Sequence, residues 1–419
     1  MTELKVGICG WGNVATGLYE ALHGEKIAQL ADCKISVTCI GARRDNPRCD
    51  YGDTEVFRDI FDIPEQDIDV VIELIGGVEI ARELILKAIA QGKHVVTANK
   101  AVIYNHGDEI FDAARAQGVQ VLFEASVCAG TPIVKLMQNE LGGNKISKVS
   151  GMLNGTSNFI LSSMEEGMSF DEALTIAQEE GYAEPEPSFD IEGMDAAHKI
   201  GILAYLAYGS SLPPAHFYVE GITNIASTDF QYAKNHKLAL KHLAVAKLVD
   251  DAVEMRVHPV LMDEKSSLAS LQGVRNGIEL DTNLVGKVHL AGSGAGREST
   301  ASGLISDLMS LARSNNKLPS RPDHPPVKIV EFSSSIFKYY FYLEVDDELG
   351  AAASITSCFA KYGISLESII QEDHLQNNKA PIIITTDSTS EKNAQATLEE
   401  LSNLSPVSSS KLIRIERDS

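Results

Sequence analysis

Positive charge is what this chain has least of for its size: 36 Lys and Arg stand against 58 Asp and Glu over 419 residues, a formal net charge of −22. A nucleic acid or an anionic membrane surface would have to meet a basic face, so neither is expected as a partner. Cysteine is sparse as well. The six (Cys9, Cys33, Cys39, Cys49, Cys128, Cys358) are scattered without a C-x-x-C pair, and several lie in apolar, strand-like runs. They read as reduced, buried thiols, not as a disulfide or zinc framework. Long apolar runs are missing too: the longest, Ile200–Tyr208, includes Gly201 and falls far short of the roughly 20 residues of a membrane span. The opening MTELKVGICG enters a strand without the basic segment and apolar core of a secretory signal. The expectation is a cytoplasmic protein. Hydrophobic residues make up 44%, and the length suffices for two or three domains with sizeable cores.

The first third reads as a dinucleotide-binding unit. LKVGIC (residues 4–9) is a short apolar strand, and Gly10-Trp-Gly12-Asn13-Val14-Ala15 leads into a helical pattern through Val14, Leu18, Ala21 and Leu22. In such a unit the first glycine makes the tight turn, the second lets backbone approach a pyrophosphate on the helix N-terminus, and the third position tolerates alanine. The second strand, Lys34–Ile40, ends in Gly41-Ala-Arg43-Arg44-Asp45. The two arginines favour the 2′-phosphate of NADP, while Asp45 leaves NAD open. DVVIELIGG (Asp69–Gly77) follows as a buried strand, then a helix (Ile80–Gln91) and the strand HVVTANKA, which ends in Asn99 and Lys100. Ligands in open parallel sheets bind at the carboxyl ends of strands, which places Lys100 near the reacting end of the cofactor.

The chain's centre of gravity is GYAEPEPSFDIEGMDAAHK (residues 181–199), with five carboxylates (Glu184, Glu186, Asp190, Glu192, Asp195) and a closing Lys199. Pro185 and Pro187 stiffen its first half, and Gly193 releases a helix whose Ile200, Leu203, Ala204 and Ala207 mark a buried face. Asp195 and Lys199, four apart, leave the same side of that helix. An acidic surface loop with an ordinary ion pair is the competing reading. LNGTSNFIL (Leu153–Leu161) supplies a polar cluster, Asn154, Thr156, Ser157 and Asn158, which serves equally as a helix N-cap. Residues 219–290 read as short β-like runs with one helical stretch, Lys237–Val249, as in an open mixed sheet.

The stretch from Ala177 to Lys199 resembles the signature of homoserine dehydrogenases, A-x-x-x-G-Y-A-E-P-x-P followed by D-I-x-G-x-D and K, with Glu186 where that family usually has Asp, Asn or Ser. T-A-N-K at Lys100, L-N-G-T-x-N-x-I-L at Asn154 and E-A-x-V-x-x-G-x-P at Glu124 match the family in the same order. The resemblance implies that Lys199 is the acid–base group, with Asp195 and Lys100 beside it. Substrate would be bound by Tyr182, Glu184, Asp190, Asp195, Asn154 and Thr156. Gly10, Gly12, Asn13, Val14, Arg43, Arg44, Lys100, Gly181, Gly294 and Gly296 would face the cofactor. Glu124, with carbonyls of Val127, Ala129 and Thr131, would hold a monovalent cation, usually sodium. One tension accompanies the role of Lys199: a neighbouring Asp195 favours its charged form, which opposes base chemistry near neutrality. Burial, Lys100 as a second cation, or engagement of Asp195 by substrate could each offset it.

Beyond SNNKLPSRPDHPPVK (314–328), a proline-rich linker, the expected order is strand 339–345, helix 349–362, strand 364–370, strand 381–386, helix 391–404 and strand 411–416. That order is ferredoxin-like. D-D-E-L-G with Gly350, followed by Y-G-I-S-L-E-S, resembles an ACT domain, although Leu349 stands where proline is usual and residues 351–353 are all alanine. The expected fold is thus α/β: a Rossmann-type parallel sheet at 1–134, completed by 290–313, an α+β substrate and dimerisation domain at 135–289, and an ACT domain at 329–419. Its removal at about residue 320 is expected to leave an active enzyme. The resemblance implies interconversion of L-homoserine and L-aspartate 4-semialdehyde with NADP or NAD, threonine as an effector, and a homodimer or homotetramer. A related dehydrogenase of aspartate or saccharopine type, or a catalytically silent amino acid sensor, are the alternatives.

Overall fold

The computed structural model describes residues 2–24, 33–46, 50–313, 327–371 and 379–416. Six parallel strands, β1 (Thr2–Cys9), β2 (Cys33–Gly41), β3 (Glu55–Phe57), β4 (Val70–Glu73), β5 (His94–Thr97) and β6 (Val121–Leu122), form one sheet in the order β3-β2-β1-β4-β5-β6. This is the doubly wound order, in which the chain changes direction between β1 and β4 and leaves a crevice there. Val70, Val71 and Ile72 are fully buried, as a central parallel strand covered on both faces requires. Helix Arg297–Arg313 returns from far along the chain. It sets Ala301, Leu304, Leu308 and Leu311 into one apolar cluster with Val6, Ile8 and Leu18. The last of these strands is only the pair Val121–Leu122, after which the chain turns through Glu124–Ser126.

A second sheet takes in the rest. In chain order its strands are β7 (Ile146–Met152), β8 (Tyr218–Val219), β9 (Leu238–Val249), β10 (Ala252–Asp263), β11 (Arg275–Thr282), β12 (Lys287–Ser293), β13 (Lys328–Ile329), β14 (Ile336–Asp346), β15 (Leu366–Gln371), β16 (Lys379–Thr386), β17 (Thr389–Ser390) and β18 (Val407–Glu416). Nine run as β12-β11-β7-β9-β10-β18-β14-β16-β15, with β8, β13 and β17 alongside. β9 overturns an expectation: the stretch 237–249 is a strand, not a helix. Its Leu, Ala and Lys are good helix formers. However, Leu238–Ala246 is buried, so no polar face marks the two-residue period. Antiparallel pairing with β10 along its whole length, and with β7 on the other side, satisfies the backbone.

The βαββαβ order of the last ninety residues is present, with helices Ala351–Lys361 and Glu391–Ser402. Most of the expected linker lies outside the described residues. The C-terminal module is not a pendant. β18 pairs in parallel with β10 (Val260↔Arg414, Leu261↔Ile415, Met262↔Glu416), so one sheet crosses the boundary. Leu240 and Leu261 share an apolar cluster with Tyr340, Ile383, Ile413 and Ile415. The fully buried Asp229 is held by Lys411 and by the Tyr340 hydroxyl, which donates at 3.1 Å. These contacts argue against the expectation that removing the module leaves an active enzyme. Truncation at residue 320 would bare that apolar face and strand Asp229 without its cation, and removing one partner of a buried pair costs on the order of 3–5 kcal/mol. The truncated chain is expected to aggregate or to lose its cooperative unfolding transition; a soluble product with an unchanged Tm would contradict the shared core.

Candidate functional site

The carboxyl end of the parallel sheet presents the cofactor candidates. Gly10 (φ +100) closes the turn after β1, and its N–H donates to the Gly41 carbonyl at 2.8 Å. A Cβ there would stand 2.5 Å from the Leu74 carbonyl oxygen, so only glycine fits. Among the described residues, Gly12 caps helix Asn13–His23 without a side-chain hydrogen bond, and no heavy atom lies within 4 Å of where its Cβ would be. Free amides facing open space at a helix start suit a phosphate. An open cleft of about 440 Å³ lies there, lined by Asn13, Thr16, Asn46 and Arg297. Val14 packs against the apolar cluster of the sheet. Arg43 and Arg44 are exposed just past β2, while Asp45 pairs with Arg58 at 2.9 Å. Gly294 accepts from the Ala129 amide at 3.2 Å, Gly296 accepts from Thr300 in the first turn of its helix, and Gly181 is exposed just past helix Phe170–Glu179.

The two lysines and two of the carboxylates converge. Asn99 caps helix Lys100–Gln117, setting Lys100 at the end of β5. Helix Met194–Tyr208 packs close to it because Gly201 sits against Tyr104, where a Cβ would come within 2.5 Å of the ring. Asp195, 4% exposed, then stands between two ammonium groups: Lys199 Nζ donates to Oδ2 at 2.7 Å, and Lys100 Nζ lies 3.0 Å from Oδ1. Lys199 also donates to the Leu153 carbonyl at 2.6 Å. Asn154 Nδ2 donates to Asp190 and Asp195, both at 2.7 Å, while its Oδ1 accepts from Ser157 N as the helix cap. The side chain expected as a helix cap is thus also the amide that two carboxylates share.

Electrostatics follow from this sharing. Burial alone would raise the Asp195 pKa, yet Lys199 and Lys100 together hold it well below the usual carboxylate range. Burial likewise works against a charged Lys199, but Asp195 outweighs it, so the lysine is held above its ordinary pKa. Burial, then the Asp195 charge, push Asp190 up. His198 is buried against Tyr104, its ring centroid 4.0 Å away, and burial and Lys100 lower it to about 4, leaving a neutral imidazole. The site thus keeps a charged ammonium donor next to an anion, with a second carboxyl held above its ordinary pKa.

Other sequence candidates are placed less centrally. Thr156 donates to the Tyr182 carbonyl at 2.7 Å, Tyr182 is 42% exposed, and Glu184 is exposed with its carbonyl held by Gln178. Glu124 is buried; its carboxylate accepts from the amides of Val134 and Lys135 at 2.9 and 2.8 Å. Its neighbour Asp307, whose Oδ2 accepts from Glu124 N, pairs with Lys135 at 3.0 Å, and burial pushes it up to about 7. The Thr131 hydroxyl is buried without a partner among the described residues. Sequence reasoning missed the Leu153 carbonyl, since no side chain announces it. It also missed Phe189, whose ring centroid lies 5.7 Å from Lys100 Nζ, and Glu73, fully buried at the end of β4, where Thr97 donates to it at 2.6 Å. A lone acid closing the apolar run DVVIE was the available signal for Glu73.

Comparisons with known proteins agree along the whole chain. The family model described as homoserine dehydrogenase matches residues 132–309, that of the homoserine dehydrogenase NAD binding domain matches 10–124, and the ACT domain matches 339–406. The chain is 42% identical over 425 residues to a homoserine dehydrogenase of Pseudomonas aeruginosa, covering 97% of each, and 36% identical to one of Neisseria gonorrhoeae over 96% of each. Among solved structures it is similar to a homoserine dehydrogenase from Thiobacillus denitrificans (TM-score 0.92, 36% identity, 99% of this chain and 98% of that one). It is also similar to a hyperthermophilic archaeal homoserine dehydrogenase in complex with NADPH (TM-score 0.65, 27% identity, 75% of this chain and all of that one).

The Asn154 geometry makes a stability prediction. Asn154→Asp would replace the shared amide donor with a third carboxylate against Asp190 and Asp195. It should destabilise the protein more than Asn154→Ala, which loses a cap worth about 0.5–2 kcal/mol. A carboxyl already raised in the folded state takes up a proton as pH falls, so the excess penalty should be full at pH 8 and shrink towards pH 5. Denaturant unfolding of both variants at the two pH values checks this, and an excess that does not change with pH would contradict it.

Proposed function

The chain belongs to the homoserine dehydrogenase family and is an oxidoreductase, and we propose that it interconverts L-homoserine and L-aspartate 4-semialdehyde reversibly, with NADP preferred over NAD, in threonine, methionine and isoleucine biosynthesis. The observation that carries this reading is the Asp195 carboxylate held between the Lys199 and Lys100 ammonium groups at the mouth of a parallel sheet. The open cleft at the Gly12 helix start, where no side chain caps the first-turn amides among the described residues, fits the pyrophosphate of such a cofactor. Gly10, Gly12, Asn13, Val14, Lys100, Gly181, Gly294 and Gly296 are the backbone and side chains assigned to hold it, with Arg43 and Arg44 on a 2′-phosphate. When bound, a nicotinamide cofactor accepts or supplies the hydride at C4.

The chain's own part is to orient the substrate and move one proton. Asp190 and Asp195 offer carboxylates to the substrate ammonium, with Glu184 and Tyr182 on the exposed side. The first turn after Asn154, with Thr156, offers amides and a hydroxyl to its carboxylate. In the reductive direction Lys199, charged beforehand by Asp195, gives its proton to the oxygen on C4. In the oxidative direction it must first give up a proton that Asp195 favours. A substrate ammonium competing for Asp195 lowers that cost, which answers the tension seen in the sequence.

A monovalent cation, sodium, is assigned to the loop 124–131. The family resemblance assigns as its ligands the Glu124 carboxylate and the carbonyls of Val127, Ala129 and Thr131, a set that suits a hard cation. Glu124 and Asp307 are two buried acids against one lysine, and burial raises both. That unbalanced charge is what a cation would offset. No helix among the described residues is long and apolar enough to cross a membrane; a cytoplasmic homodimer or homotetramer is the setting we assign. The C-terminal module is assigned threonine as effector.

Following the absorbance of reduced cofactor tests the reaction: turnover is expected with L-homoserine and none with L-aspartate, and the reverse would overturn the assignment. Lys199→Ala should lower kcat by about 10²–10⁴ with cofactor binding intact; more than about a tenth of the rate remaining would remove Lys199 from its role. Replacing Arg43 and Arg44 together with alanine should weaken NADP more than NAD, because a guanidinium pairs bidentately with phosphate and has no such partner on a ribose hydroxyl. Equal losses for the two cofactors would leave the arginines as turn residues.

A further inference from the structure

The turn that carries Asp190 and leads into Asp195 is braced by a segment that itself depends on the C-terminal module. Ile222 N donates to the Ile191 carbonyl at 2.8 Å. Gly221 lies so close that a Cβ there would come 2.3 Å from that carbonyl oxygen and 2.6 Å from Glu192 Cα. Gly193, which starts the helix of Asp195 and Lys199, is packed in the same way: a Cβ would sit 3.1 Å from the His242 ring and 3.2 Å from Val219. His242 is in turn bonded to the Glu220 carbonyl at 2.9 Å. Residues 219–222 therefore form the wall against which the turn 191–193 is set.

That wall has little regular structure of its own. β8 contributes two residues to the sheet, and Glu220 N adds one bond to Val257. What fixes it is Arg414, fully buried in β18. Its Nη1 donates to Glu220 Oε2 at 2.5 Å, Nη2 to the Tyr218 hydroxyl at 2.9 Å and Nε to Glu391 at 3.0 Å. The Tyr218 hydroxyl donates to the same Glu220 oxygen at 2.7 Å. The guanidinium carbon lies 4.7 Å from the centroid of the Tyr218 ring. A planar fork that meets two carboxylates and an aromatic face has one preferred orientation, so Tyr218 and Glu220 are fixed together.

We propose that Arg414 is a positioning residue for the substrate site. It clamps Tyr218 and Glu220, and through the backbone of Gly221 and Ile222 it fixes the 190–195 turn so that Asp190 and Asp195 both reach Asn154. The substrate site is thus completed by the C-terminal module. This rests on the reading that those carboxylates bind the amino acid substrate. A contiguous set of contacts of this kind changes coupling between sites by about 3- to 30-fold in an equilibrium constant. The amino acid side of the reaction should feel it and the cofactor side should not.

The test uses the full-length enzyme with two variants: Glu220→Gln, which keeps size and loses charge, and Arg414→Lys, which keeps charge and loses the fork. KM for L-homoserine should rise by about 3- to 30-fold in both, with KM for the cofactor unchanged. A merely structural role would lower Tm and the amount of active enzyme, hence the apparent kcat, while leaving KM for homoserine where it was, and that result overturns the proposal. Should Arg414→Lys fail to fold, Glu220→Gln decides alone, since its side chain is 27% exposed and its loss opens no core. Wild-type enzyme inactive on homoserine would bring down the functional reading and this proposal with it. Wild type active with both KM values unmoved in the variants would bring down this proposal alone.

Discussion

One carboxylate shared by two lysines is the constraint on which the site depends. Asp195 is buried, and an isolated buried carboxylate would be neutralised instead of ionised. Lys199, Lys100 and Asn154 make the charge tenable, and each of them must be delivered by a different part of the chain. Lys100 comes from the end of β5, Asn154 from the helix start after β7, and Lys199 from one turn beyond Asp195 on helix Met194–Tyr208. The separate elements are brought within hydrogen-bonding distance by close packing, most visibly where Gly201 meets Tyr104. The chemistry therefore inherits its precision from the cores beneath it. Burial and pairing oppose each other at both charged groups, and in each the pairing wins.

The second sheet extends the same dependence to the end of the chain. Its order places β18 against β10, so a sheet that begins beside the substrate residues ends in a ferredoxin-like module. Each ionic contact at this junction has one fully buried partner, and such pairs are weak evidence of net stability but strong determinants of geometry. Asp229 with Lys411, and Glu220 with Arg414, lock the register of two otherwise separable units. A ligand at the module could bias the catalytic turn only by preferring one arrangement of these contacts over another.

Much of this was legible in the sequence, for reasons that differ by region. The parallel sheet is announced by apolar runs ending in glycine or in a functional residue, and Gly10, Lys100, Asp195 and Lys199 lie where strand ends and helix starts put them. The helical expectation over 237–249 failed because Leu, Ala and Lys favour helix locally while the neighbours of β9 demand a strand, and burial on both faces had erased the alternation that would have shown it. The separable C-terminal module was inferred from a proline-rich stretch. No local pattern could report that Ile413 and Ile415 share a core with Leu240 and Leu261. The Leu153 carbonyl on Lys199 was equally invisible, since every residue has a carbonyl. Contacts between distant segments, not element identities, are where sequence reasoning stopped.

Asp195 holds Lys199 charged against the pull of burial. An NMR titration of the Lys199 side chain, labelled at Cε and assigned by the loss of its signal in Lys199→Ala, reads this directly. In the wild-type enzyme without ligands Lys199 should remain charged beyond the ordinary titration range of lysine, and in Asp195→Asn, with burial opposed only by the smaller effects of Cys128 and Asp190, it should titrate below its wild-type range. A wild-type Lys199 that loses its proton near neutrality, or one whose titration does not move on replacing Asp195, would contradict the account.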